Sequence, residues 1–159
     1  MEVVFRPIGV IRSPHLQPAG TPIQPAYADE IEGDVVVDES FEEALSDIDG
    51  FERVWLVCWF HQAGVFRPRV IPYRDTVQRG LFATRAPNRP NAIGLSVVRL
   101  LRRERSVLRV AGLDILDGTP LLDIKPYVPE FDAYPASKAG WLDSSGAGRR
   151  RADERFHRT

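Results

Sequence analysis

The apolar residues of this chain come in short runs, and the most complete of them, Val54-Trp-Leu-Val-Cys-Trp-Phe60, is only one strand long. An unbroken run of that size suits a central strand buried on both faces, and such a strand is expected over 51–60. Similar short runs recur on either side. Residues 3–11 suggest a first strand, broken or bulged near Pro7 and Gly9. Residues 33–37, 97–101, 107–113 and 121–127 suggest further strands, with a turn over 102–106. One helix is expected, from Ser40 to Ile48. Ser40 and Glu43 match a capping box, and Phe41, Ala44, Leu45 and Ile48 fall on one face. Six or seven short strands with one helix count against a doubly wound α/β sheet and suggest a β-barrel or sandwich; the fold expected is mainly β, a small single-domain barrel with irregular loops.

The chain has 159 residues, enough for one domain with a real core. Residues 1–136 are assigned to the barrel. Residues 137–159 form a short basic tail rich in Gly, Ser and Arg, expected to be partly frayed. No apolar run approaches the roughly 20 residues that span a bilayer, and no signal peptide opens the sequence. The single cysteine, Cys58, lies within the apolar run and reads as a buried structural thiol. These features favour a cytoplasmic protein. No zinc, P-loop, dinucleotide or nucleophile-elbow motif is present, so no metal site is expected.

Net charge is -1, which argues against generic nucleic-acid binding, but the charges are segregated. Residues 29–52 hold eleven acids and no Lys or Arg, whereas residues 65–110 hold eleven arginines opposed only by Asp75 and Glu104. Either the two segments pair with each other or the arginines form a basic face for phosphate. The densest stretch is Arg79–Ser96, with three arginines, two prolines, two asparagines and two glycines in eighteen residues. Fixed φ, permissive glycines and planar guanidinium forks suit a shaped loop that holds an anion.

Three further clusters carry polar chemistry. Pro22-Ile23-Gln24 lies in the proline-rich loop 13–28. His61-Gln62 follows the long central strand, which fixes their position. Asp114-Ile115-Leu116-Asp117 runs into the turn signal Asp117-Gly-Thr-Pro120 and supplies carboxylates, although Asp117 also suits a simple turn cap.

Five segments in order, Gly9–Pro14, Trp55–Gln62, Gly80–Arg85, Arg89–Ser96 and Asp117–Tyr127, resemble the TsaA-like family, which includes the TrmO or YaeB-like tRNA (adenine-N6)-methyltransferases. The resemblance runs from about Pro7 to Pro129. It implies a barrel that binds S-adenosylmethionine without a Rossmann fold, typically as a homodimer. It also implies methylation of N6 of threonylcarbamoyladenosine 37 in the tRNA anticodon loop. Cofactor contacts implied by the matching motifs are Pro22, Ile23, Gln24, His61, Gln62, Arg85, Leu95, Asp114, Ile115, Leu116 and Asp117. In that assignment Arg85 grips a carboxylate. Asp114 or Asp117 accepts from an ammonium or ribose, and Pro22 and Leu95 contact the adenine. Arg89, Arg99, Arg102 and Arg103 are the arginines expected to meet RNA phosphate. No catalytic base is assigned; Asp117, His61 and water all stay open. The family's cofactor loop often reads Pro-Arg-Gln, whereas position 23 here is Ile. Many members also carry a further C-terminal domain. A non-catalytic module binding S-adenosylmethionine or a nucleotide, or an RNA-binding barrel, would share most of these features.

Overall fold

Six antiparallel strands close into a barrel in a computed structural model that describes residues 1–146 and 148–157. The strands are β1 (Gly9–Arg12), β2 (Glu32–Val37), β3 (Arg53–Trp59), β6 (Ile93–Glu104), β7 (Val107–Ala111) and β8 (Pro120–Pro126), and their order around the barrel is β1-β2-β7-β6-β3-β8. A two-stranded ribbon, β4 (Arg69–Val70) with β5 (Arg79–Gly80), stands outside it. The barrel interior is filled by Ile11, Val35, Val54, Leu56, Val98, Leu108 and their neighbours. Closure leaves no open sheet edge in the barrel.

The central strand departs from expectation. β3 is not buried on both faces: Val54, Leu56 and Cys58 point into the core, while Trp55 and Val57 are half-buried and Trp59 is exposed. A barrel has one inside, so the strand period of two turns every second side chain outward. Cys58 is the expected buried free thiol, and burial, helped by the nearby Asp114 charge, pushes its pKa up to about 12.

The first strand is shorter than predicted and starts at Gly9, where a side chain would collide with the Val36 carbonyl. β6 is longer than predicted and runs through the expected turn. Its hairpin to β7 closes on two residues, Arg105 and Ser106, with Arg105 in the left-handed region at φ 55°. The helix expected over 40–48 is instead a 3₁₀ segment, Glu39–Leu45, followed by a 3₁₀ turn at Ile48–Gly50. Its N-cap is Asp38, whose Oδ1 accepts from the Ser40 amide and hydroxyl, so the Ser40–Glu43 capping box does not form. The one α-helix among the described residues is a single turn, α1 (Pro129–Asp132). No helix among them is long and apolar enough to cross a membrane.

The described residues of the tail are tied to the rest of the fold. Ile23 N–H donates to Arg150 O, Gly20 N–H to Ala152 O, and Ala152 N–H to Thr21 O; Gly64 N–H donates to Phe156 O. Phe156 completes a second small core with Val70, Leu81, Ala86 and Tyr73 beneath the Arg79–Ser96 loop. Arg158, the last arginine of the tail, lies outside the described residues.

Candidate functional site

A cleft of about 560 Å³ opens where the loops meet at one end of the barrel. That size falls within the range of small-molecule sites. Each wall follows from local structure. β3 ends at Trp59, Phe60 N–H donates to Ala92 O, and a tight turn (Ala63 N–H to Phe60 O) presents His61 and Gln62 at the rim. The Phe60 ring lies flat against Gly94 of β6, where a Cβ would strike it. On the opposite wall, Gly112 (φ +84°) turns the chain out of β7, and the amides of Gly112 and Leu113 both donate to Ile31 O. Leu113 and Ile115 then plunge into the core, leaving Asp114 between them in the cleft wall.

Asp114 Oδ1 accepts from Ser96 Oγ at 2.7 Å. Burial raises its pKa to about 6, against the opposing pull of the Ser96 bond, its own backbone amide and the Arg85 charge. The proline-rich loop is moored to the same segment: Ser13 Oγ donates to Ile115 O, and His15 Nε2 meets Leu113 O at 3.0 Å. Pro22, Ile23 and Gln24 thereby reach the cleft, and Arg85 Nη1 donates to Gln24 Oε1 at 2.6 Å.

Nine of the eleven residues expected around a cofactor line this one cleft: Pro22, Ile23, Gln24, His61, Gln62, Arg85, Asp114, Ile115 and Leu116. Leu95 and Asp117 do not. Strand alternation sends Leu95 outward, 57% exposed, between the inward Gly94 and Ser96. Asp117 ties its turn to the end of β1 rather than capping the turn itself: Oδ1 accepts from Ser13 N–H, and Oδ2 lies 3.6 Å from Arg12. As a base for chemistry in the cleft, Asp117 is therefore badly placed, and His61 or water is better sited.

The arginines also divide. Within Arg79–Ser96, Arg85 lines the cleft. Arg79 is held by Asp75 at 2.7 Å and lies over the Trp141 ring. Arg89, expected to face RNA, turns inward: Nη1 donates to Thr84 O at 2.9 Å, with Leu81 O and Ala86 O nearby, and the guanidinium covers Phe82. Arg99 sits mid-strand opposite Arg53 and Ala111. Arg102 pairs with Glu104, and Arg103 bonds Arg105 O, Leu45 O and Glu42 O. From Ser96 to Arg102 is six residues of strand, roughly 20 Å, so Arg102 and Arg103 stand at the far end of the barrel. The expected pairing of acidic and basic segments holds for Arg103, Arg105 and Arg109, which meet Asp49, Glu42, and Glu32 with Asp34.

Sequence reasoning missed the aromatic and tail-derived walls: Tyr27, Tyr73, Phe82, Trp141, Phe156 and His157. Trp141 Nε1 donates to Ala83 O at 2.8 Å, which fixes the tail beside the loop. Burial holds the His157 imidazole below the usual histidine value. The signal was present in the tail, whose few aromatics stand alone among Gly, Ser and Arg. An aromatic in such a segment needs something to pack against.

This geometry has relatives. The family model of the tRNA-methyltransferase O N-terminal domain matches residues 10–133. A probable S-adenosyl-L-methionine-binding protein of Pyrococcus abyssi is 50% identical over 90% of this chain and 78% of its own length. The tRNA (adenine(37)-N6)-methyltransferase of Escherichia coli is 35% identical over 90% of this chain and 65% of its own length. The crystal structure of TrmO from Pseudomonas aeruginosa superposes with a TM-score of 0.74 at 42% identity, covering 88% of this chain and 62% of that one. The chain thus spans about two thirds of the bacterial proteins and most of the archaeal one. With the family model matched through the barrel and every wall of the cleft except the tail, the chain belongs to the family of the tRNA-methyltransferase O N-terminal domain.

Proposed function

We propose that this protein is an S-adenosylmethionine-dependent methyltransferase that modifies N6 of adenine 37 in the tRNA anticodon loop, with threonylcarbamoyladenosine as the acceptor. The observation that carries this is convergence. Four sequence segments, 22–24, 61–62, 85 and 114–116, meet in one cleft of cofactor size. The relatives' names, S-adenosyl-L-methionine-binding protein and tRNA (adenine(37)-N6)-methyltransferase, agree with it.

The residues suit the group. Arg85, anchored by Gln24, offers its remaining guanidinium donors to a carboxylate. Asp114 accepts from an ammonium or a ribose hydroxyl. Pro22, Ile23 and Phe60 give the apolar contact an adenine needs. Isoleucine at 23 makes that loop an apolar wall, and the cations beside it are Arg85 and Arg74, the latter donating to Tyr27 Oη. When bound, S-adenosylmethionine supplies a methyl group already activated on sulfonium. The protein's task is then to orient an in-line attack and exclude water, and good orientation alone gains roughly 7–11 kcal/mol. An unpaired anticodon-loop base splays into aromatic surroundings such as Phe82 and Trp141. Phe82 is 78% exposed at the mouth.

We further propose a cytoplasmic homodimer, matching the location of its substrate and built on the apolar outer face of β3 and β6. There Trp55 faces Val97, Val57 faces Leu95, and Trp59 faces Ile93. Exposed apolar ladders of this kind mark interaction surfaces.

Calorimetry with S-adenosylmethionine tests the cofactor half: saturable heat is expected, and no heat with no thermal shift would overturn it. Binding without methylation of any tRNA nucleoside would instead make the protein a cofactor-binding module.

A further inference from the structure

A second cleft, of about 530 Å³, adjoins the first, and Phe156 lines both. Its polar lining includes Arg67, Arg69, Thr76, Gln78, Asn88 and Arg155. Its acids are already matched. Asp75 is held by Arg79 and by the amides of Thr76 and Val77, and nearby Asp153 is clamped between Arg149 and Arg155. Arg155 is further occupied by the carbonyls of Ile71 and Pro72.

Two cations are left over. Arg69 makes one contact, from Nη2 to Gln78 O at 3.3 Å, which orients its fork but leaves most of its donors free. Arg67 makes no hydrogen bond or ion pair among the described residues. The pair flanks Pro68, whose carbonyl accepts from Leu81 N–H and pins the ribbon to the Arg79–Ser96 loop. Of the four arginines expected to meet RNA, Arg89, Arg102 and Arg103 already have partners, two of them at the far end of the barrel, and Arg99 lines a different pocket with Asp29, Glu30 and Arg53.

We propose that Arg67 and Arg69 form the phosphate-binding cleft for the substrate RNA strand, next to the cleft that takes its target base. The proposal rests on the methyltransferase assignment above. Its physical basis is adjacency and charge. A base turned into the first cleft leaves its flanking phosphates at the rim, and the neighbouring basic cleft shares Phe156 with it. Guanidinium forks with most donors unengaged lose little by engaging phosphate. A protein of net charge -1 gains RNA affinity from such a local concentration of charge.

The test uses the full chain with Arg67→Ala, Arg69→Ala, the double variant and Arg102→Ala. Affinity for tRNA is measured by fluorescence anisotropy across a salt series, with S-adenosylmethionine affinity and melting temperature as controls. Wild type should bind tRNA with a log–log salt slope that falls by about 0.7–0.9 for each arginine removed. The double variant should raise the KM for tRNA at least tenfold while kcat at saturating tRNA, cofactor affinity and melting temperature hold. An unchanged slope and KM would overturn the proposal. So would a slope change at Arg102→Ala and not at Arg67 or Arg69, which would move the RNA to the far end of the barrel. Inorganic phosphate is titrated as a separate probe. Loss of phosphate binding with tRNA affinity intact would make this a small-anion site and overturn the RNA assignment. Wild-type protein that neither binds nor methylates tRNA would overturn the underlying function, and this proposal with it.

Discussion

Arg85 and Asp114 both line the main cleft, and each makes a distinct prediction. Arg85 is held by one hydrogen bond to Gln24 and keeps its other donors for a ligand. Arg85→Ala should weaken S-adenosylmethionine binding by about 1.5–3 kcal/mol, the range for hydrogen bonds to charged groups, with calorimetry as the readout. Asp114 carries a pKa of about 6 because its carboxyl is buried. The ionised form makes the stronger, charge-assisted bond to an ammonium donor, so cofactor affinity should fall as pH drops through about 6. Asp114→Asn should flatten that dependence. The same group bears on stability. The folded state holds its proton up to about 6 while the unfolded chain releases it near 3.8. Stability contributed by the protonated form is therefore lost as pH rises through that window. Asp114→Asn should accordingly raise the melting temperature at pH 7.5 relative to wild type and leave it nearly unchanged at pH 4. At this scale sequence was most informative where a residue type is tied to one chemistry, as with Arg85. It was least informative where the fold offers a side chain another partner, as when Asp117 accepts from Ser13 and Arg89 satisfies carbonyls.

Among the elements, the tail does the least expected thing. It pairs with loop 20–23 through three backbone hydrogen bonds and with the His61–Gly64 turn through a fourth, so it ties together two walls of the cleft. None of its residues belongs to the barrel core. Ala152→Pro, which deletes the N–H that bonds Thr21 O, should therefore weaken cofactor binding several-fold and leave the β-sheet circular dichroism spectrum intact. Loss of the spectrum would mean that the tail holds up the barrel itself. Gly9→Ala probes the opposite case. Its Cβ meets backbone of β2 rather than a movable side chain, so it should destabilise the barrel by about 1–3 kcal/mol in chemical denaturation. Strands were legible because their apolar runs are bounded by turn residues. Their orientation was not, because the run 54–60 carries apolar side chains on both faces and hides its period. The helix at 40–48 was misread because Asp38 outcompetes Ser40 for the cap.

For the whole molecule, the topology turns six short strands into a rigid support with its chemistry at one end, while the outer face of β3 and β6 stays apolar. That face explains why a strand exposed on one side reads as fully buried in sequence: Trp55, Val57 and Trp59 suit contact with a second copy as well as they suit a core. Sedimentation equilibrium should give a dimer, and Trp59→Glu should shift it toward monomer. The fold class and most of the main cleft follow from strand spacing and five ordered motifs. The basic cleft beside it does not, because only the fold brings Arg67 and Arg69 into one cleft with most of their donors unengaged. The most direct measurement is mass spectrometry of tRNA nucleosides after incubation with the protein and S-adenosylmethionine. The account predicts a mass gain of one methyl group on threonylcarbamoyladenosine from position 37, absent when Arg85→Ala replaces wild type at limiting cofactor. Unchanged nucleosides, with the cofactor demonstrably bound, would contradict it.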